Sequence, residues 1–213
     1  MLYLAALPVV GAMLFLPAGT FDYWQAWLYL AILFIPVAFV GLYFLKSDPA
    51  FLERRFKTKE KEAKQKAIVK ITALLFLIGF LIPGLDRRFG WSSVPFEVAV
   101  GANLLVFIGY IIVFLAFKEN SYAARTVEVE KGQKVISTGP YSVVRHPMYV
   151  GFLLLYTATP IALGSYWALP LFLLTIPAII FRILNEEELL RRKLPGYGAY
   201  CRKTRYRLLP YAW

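Results

Sequence analysis

The chain contains one histidine, His146, set in the run Arg145-His146-Pro147-Met148-Tyr149-Val150-Gly151. Further on, Arg182 precedes Asn185-Glu186-Glu187-Glu188. These residue types can do chemistry together. An arginine fork can grip a carboxylate through two parallel bonds. A histidine or a glutamate can carry a proton, and a tyrosine ring can pack on a flat base or face a cation. A lone histidine and a lone cysteine, Cys201, leave no histidine cluster, no multi-cysteine metal site and no intramolecular disulfide, so no metal is expected. Taken singly, each residue also has a bland reading. A histidine beside a helix start is commonly a cap, and three glutamates in a row are commonly a solvated helix end. Arg145 fits a headgroup anchor as well as a catalytic role.

The elements that must position these side chains are set by a bilayer. Of 213 residues, 59% are hydrophobic and 17% charged, against roughly half and a quarter in soluble domains. The excess comes in blocks. A hydrocarbon core of ~30 Å takes about 20 apolar residues as helix. Blocks 24–45 and 96–117 are clear spans, 68–85 and 166–184 are good candidates, and 2–16 and 148–163 are short. The first block lacks a basic leading segment and a clear small-residue cleavage site, and reads as a retained helix. The expected fold is an all-α, polytopic membrane bundle of about five to six transmembrane helices. Residues 1–117 form a four-span membrane region. Residues 118–213 form a catalytic region with a polar loop, a helical hairpin and a tail.

Lys and Arg concentrate in segments 46–66 and 118–146 and in the tail, whereas the intervening connections hold only Arg87 and Arg88. Positive charge stays on the cytoplasmic side, so six spans place both termini and the polar loop there. The net charge of +11 is accounted for by basic segments meeting anionic lipid headgroups; nucleic acid is not an expected partner. Trp24, Trp27 and Trp213 suit interfacial belts. Pro36, Pro83 and Pro177 lie in or near apolar runs and are expected to kink them. Segment 54–66 reads as a helix leading into the third span, and 126–130 as extended.

Gly139-Pro140 marks a turn, and Pro147 suits the first turn of the fifth span, where a missing N–H costs nothing. Gly164-Ser165 closes a tight hairpin between the last two spans. The start of the fifth helix and the end of the sixth then meet at one membrane interface, with His146 and Tyr149 facing Arg182 and the glutamates. Polar residues gathered at one depth of a membrane bundle signal function.

The run from Arg145 to Gly151 resembles the RHPxYxG signature of isoprenylcysteine carboxyl methyltransferases. Gly139-Pro140-Tyr141 upstream, Asn185-Glu186-Glu187-Glu188-Leu189 downstream and the Gly-x-x-Tyr-like tail follow in that family's order. The resemblance covers about residue 118 to the C-terminus. It implies a membrane methyltransferase using S-adenosyl-L-methionine. Gln133, Lys134, Val135 and Ile136 would lie along the cofactor, and Tyr141, His146, Pro147, Met148, Tyr149 and Glu187 would contact it. Arg182 would hold the substrate carboxylate, and Arg182 and His146 are the candidate catalytic residues. The implied partners are a lipophilic small molecule or prenylated peptide as substrate, and membrane lipid.

The residue types suit that chemistry on their own terms. Methyl transfer from a sulfonium is an in-line displacement that needs alignment and a dry site. An ionised carboxylate acceptor needs no base, only a cation to hold it. Three rivals stay open: a phospholipid-type amine N-methyltransferase, which needs a base; a sterol-reductase-type enzyme using a nicotinamide; and a non-enzymatic small membrane transporter.

Overall fold

The computed structural model describes residues 2–56, 63–123, 129–130 and 132–213, with side chains 2–5, 56 and 63–66 left aside. Residues 57–62 of the Lys-rich run 54–66 and 126–128 of the extended reading at 126–130 fall outside these residues. In chain order the helices are α1 (Leu2–Ala18), α2 (Trp24–Ser47), α3 (Pro49–Phe56), α4 (Ala63–Phe89) and α5 (Phe96–Glu119). A 3-10 turn (Gly139–Ser142) leads to α6 (Pro147–Ala162), α7 (Leu169–Leu173), α8 (Thr175–Lys193) and α9 (Tyr197–Lys203). No strand occurs among the described residues.

Among those residues four helices are long and apolar enough to cross a bilayer: Trp24–Ser47, Ala67–Phe89, Phe96–Glu119 and Leu169–Lys193; Ala6–Ala18 and Pro147–Ala162 are shorter. Their outward faces carry Ile35, Leu42 and Leu104 at 69%, 64% and 58% exposure. Water would penalise that surface and hydrocarbon does not. This is a helical membrane protein, as the apolar blocks predict.

The last block departs from a continuous span. Leu174 separates α7 from α8. Pro177 has no N–H for the Leu173 carbonyl and its ring crowds that carbonyl. The Thr175 hydroxyl instead donates to the Phe172 carbonyl at 2.5 Å, and the helix restarts with Pro177 in its first turn, where proline is tolerated. Helix α8 then runs on past the apolar block to Lys193.

The chain forms two compact units. The first comprises Met1–Ala38, Lys70–Gly109 and Leu153–Ile176. Small residues allow close helix approach there: a Cβ on Gly84 would stand 2.5 Å from the Leu14 carbonyl oxygen, and one on Gly79 would stand 2.8 Å from the Phe172 ring. Phe76 and Phe80 each pack edge to face on Phe172. The Tyr23 hydroxyl donates to the Leu163 carbonyl at 2.5 Å. Gly90 ends α4 in the left-handed region, its N–H bonding the Asp86 carbonyl at 2.8 Å, a common helix stop.

The second unit comprises Phe39–Val69, Tyr110–Phe152 and Pro177–Trp213. Phe44, Phe51 and Phe117 pack ring to ring, joining α2, α3 and α5. Arg54 donates to the Ser121 carbonyl at 2.8 Å and pairs with Asp48 at 3.4 Å, so α3 holds the loop that follows α5.

Candidate active site

The second unit contains a cavity with about 810 Å³ of empty volume, part of it open to solvent. Its walls come from the loop after α5, segment 133–136, the start of α6, one face of α8, and α9. The loop is shaped locally. The Asn120 side-chain oxygen accepts from the Tyr122 N–H at 3.0 Å, a turn that asparagine makes readily. Gln133 folds back in the same way, its side-chain oxygen accepting from the Glu130 N–H at 3.0 Å. At Gly139 the chain takes φ 54° beside Glu119, which accepts from the Thr138 hydroxyl. A Cβ at Gly139 would come within 2.9 Å of that carboxylate, which can swing aside; the positive φ is what favours glycine there.

The start of α6 is held by the chain's last residues. The Arg145 N–H bonds the Tyr206 carbonyl at 2.9 Å, and the His146 N–H bonds the Arg207 carbonyl at 3.0 Å. The Arg145 guanidinium donates to Glu187 at 2.6 Å and to the Thr204 and Arg205 carbonyls at 2.9 and 2.6 Å. Only 6% exposed, Arg145 is not a headgroup anchor; it ties tail to α8. Burial opposes its charge, but the Glu187 carboxylate outweighs that and holds its pKa above the ordinary value.

Glu187 is itself buried, and its oxygens are taken. One accepts from Arg145 and lies 3.3 Å from His146 Nε2; the other accepts from Arg207 at 3.1 Å. Glu186, one residue earlier, faces the cavity and accepts from the Tyr149 hydroxyl at 2.8 Å. Arg182 Nε donates to the same hydroxyl at 3.0 Å. Arg182, Tyr149 and Glu186 thus form one chain of bonds on the cavity wall. Glu188 points away, exposed, and pairs with Arg192. The anticipated cluster therefore separates: Arg182, Tyr149 and Glu186 line the cavity, Glu187 braces it, His146 does both, and Glu188 lies on the surface.

Of the residues expected at the cofactor, Gln133, Lys134, Val135, Ile136, Tyr141, His146, Met148 and Tyr149 line the cavity, as does Arg182; Pro147 and Glu187 do not. Residues not assigned to the cofactor also line it, including Glu186, Leu189, Leu190, Leu194, Tyr197 and Tyr200. Helical phase contained that signal: counting by three and four from Arg182 reaches 186, 189, 190 and 194. Tyr200 donates to the Tyr141 carbonyl at 2.7 Å, fastening α9 over the 3-10 turn. Burial pushes the phenols of Tyr141, Tyr197 and Tyr200 well above their ordinary range, so all three are neutral.

Residues 96–195 match the family model described as phospholipid methyltransferase. The chain is 33% identical over 167 residues to the cobalt-zinc-cadmium resistance protein CzcN of Cupriavidus metallidurans, covering 74% of this chain and 69% of that one. It is 34% identical over 110 residues to the nickel-cobalt-cadmium resistance protein NccN of Alcaligenes xylosoxydans xylosoxydans, covering 49% of each, so the match spans about half that relative's length. A stretch of 91 residues is 28% identical to the mouse Delta(14)-sterol reductase TM7SF2, covering 41% of this chain and 22% of the reductase.

Proposed function

The chain belongs to the phospholipid methyltransferase family, and from that premise we propose that it methylates a lipophilic carboxylate with S-adenosylmethionine. The α-carboxyl of a C-terminal isoprenylcysteine is the type of acceptor meant. The observation that carries the choice of acceptor is Arg182 on the cavity wall, its Nε already oriented by Tyr149. The cavity's lining also suits the cofactor. Five tyrosine rings, Tyr122, Tyr141, Tyr149, Tyr197 and Tyr200, offer faces for a flat base and for a sulfonium. Glu186 offers an acceptor for an ammonium or a ribose hydroxyl. When bound, S-adenosylmethionine supplies an activated methyl group, displaced in line so that an ester forms and a thioether leaves.

The chain's own residues then have four tasks. Arg182 holds the acceptor carboxylate and fixes its angle of approach. Tyr149 holds Arg182. The leucines of α8 exclude water, which strengthens each polar contact inside. Arg145, Arg207 and His146 hold Glu187 and thereby the end of α8. No base is needed, because a carboxylate is already ionised near neutral pH. The Lys and Arg distribution supports a cytoplasmic opening for the cavity.

A second reading has its own observation. Glu186, in the same cavity and 2.8 Å from the Tyr149 hydroxyl, is a proton acceptor that an amine substrate would require. Arg182→Lys separates the two. The variant keeps the charge and loses the fork. For a carboxylate acceptor, kcat/KM on a farnesylcysteine analogue should fall about ten- to a hundredfold, with calorimetric affinity for S-adenosylmethionine unchanged and a flat rate between pH 6.5 and 8.5. Full activity of the variant, or a rate on an ethanolamine lipid that climbs through that range, would transfer the proposal to the amine.

A further inference from the structure

Tyr197 is the first residue of α9, placed there by Gly196 in the left-handed conformation, φ 86°. Its N–H bonds the Leu194 carbonyl at 3.2 Å, and its ring tilts against Tyr200 with centroids 5.7 Å apart. The residue is 4% exposed and lines the cavity. Its hydroxyl has no hydrogen-bond partner among the described residues. Other buried tyrosines are served: Tyr23 donates to Leu163, Tyr29 shares a bond with Thr159, Tyr149 donates to Glu186 and Tyr200 to Tyr141. The two further orphan atoms among the described residues, Gln25 Oε1 and Asn103 Oδ1, belong to residues that do not line this cavity.

A buried hydroxyl without a partner is destabilising, and a chain keeps one where something else completes it. We propose that the Tyr197 hydroxyl is a binding group for the nucleoside part of the cofactor, exchanging a hydrogen bond with a ribose hydroxyl or the exocyclic amine of the base. The inference rests on the S-adenosylmethionine reading above. The class of group follows from the surroundings. Burial, and then the neighbouring Glu187 carboxylate, keep the phenol protonated, so it can both donate and accept. A hydroxyl or an amine on a sugar or base can exchange such a bond, with the Tyr200 ring and Leu194 lining the same cavity for the apolar parts.

Tyr197→Phe tests this with little risk to the fold, since it removes an atom that bonds nothing among the described residues. The purified full chain in detergent is titrated with S-adenosylmethionine by calorimetry. The thioether nucleoside 5′-methylthioadenosine, which lacks the amino-acid part, is measured by competition. Affinity for both ligands should fall by the same factor, about five- to tenfold, while the ligand-free variant melts at the native temperature or above it. Equal affinities in native and variant protein would overturn the assignment. So would weakening for S-adenosylmethionine alone, because the hydroxyl would then meet the amino-acid part. Failure of the nucleoside to compete with the native protein counts against it too, as does a lower melting temperature, which would reveal an internal partner. If the native chain binds no S-adenosylmethionine, the parent reading fails first and this one with it.

Discussion

Two buried carboxylates, one in each unit, show what separates a structural polar cluster from a site. Asp86, 1% exposed, accepts from the Ser92 N–H and hydroxyl, both at 2.6 Å, and from the Ser165 hydroxyl. The serines accept in turn from the Tyr166 and Ala168 N–H groups. Among the described residues each of these partners is neutral, and the network closes on itself. Glu187, 3% exposed, is bound instead by cations, Arg145, Arg207 and the more distant Arg191, and it adjoins a cavity whose wall carries another acid, another cation and an orphan hydroxyl. A closed neutral network stabilises a turn. A charged one beside a cavity, with an orphan hydroxyl on the cavity wall, can hold a ligand.

The sharpest way to break that comparison is at Glu187 itself. Replacing it with alanine leaves Arg145 buried without its counter-charge, which in buried pairs costs ~3–5 kcal/mol. Thermal unfolding in detergent should show a large loss, and binding of S-adenosylmethionine should go with it, because the tail and the start of α6 lose their common anchor. A variant that melts normally would mean that Thr204 and Arg205 carbonyls suffice to hold Arg145.

Asp86→Ala should cost less and cost only stability. The carboxylate's departure strands one N–H and two hydroxyls, at about 1–3 kcal/mol for each that finds no new partner; the half-buried Ser92 hydroxyl can turn to water, the buried Ser165 hydroxyl cannot. Affinity for S-adenosylmethionine and turnover at a temperature where the variant is folded should equal the native values. Altered affinity at such a temperature would show that the Asp86 network is coupled to the cavity, and the contrast between the two clusters would lose its meaning.

Much of this contrast is legible in the sequence, and the rest fails for identifiable reasons. Apolar blocks give the spans because bilayer thickness fixes a length that composition reveals. Gly139-Pro140 and Pro147 give a turn and a helix start because their constraints are local. The break at Leu174 escapes a count of apolar residues but lies within reach of the Pro177 reading, which expects a kink because the Leu173 carbonyl is left unserved. Arg145 misleads for the opposite reason: its partners, Thr204, Arg205 and Glu187, return from 42 or more residues away, and no local pattern announces them. The orphan hydroxyl of Tyr197 is illegible in principle, being a fact about what is not within reach.

The smallest expected effect decides whether the glutamates are read in the right phase. Glu186, Glu187 and Glu188 are identical in type and adjacent, so composition cannot rank them; only the ~100° turn per helical residue does. That rotation sends Glu186 to the cavity, Glu187 into the buried cation cluster and Glu188 to the surface. There it makes an i,i+4 pair with Arg192, 56% and 72% exposed. Such a pair contributes ~0.3–0.5 kcal/mol at most and is screened by salt. Glu188→Gln should therefore shift the melting temperature by about a degree or two, by less in high salt, and leave both cofactor affinity and turnover as they were. A loss comparable with that at Glu187 would mean that α8 is rotated by one residue from the arrangement described. Glu188 would then take the buried place, Arg182 would leave the cavity wall, and the case for a carboxylate acceptor would go with it.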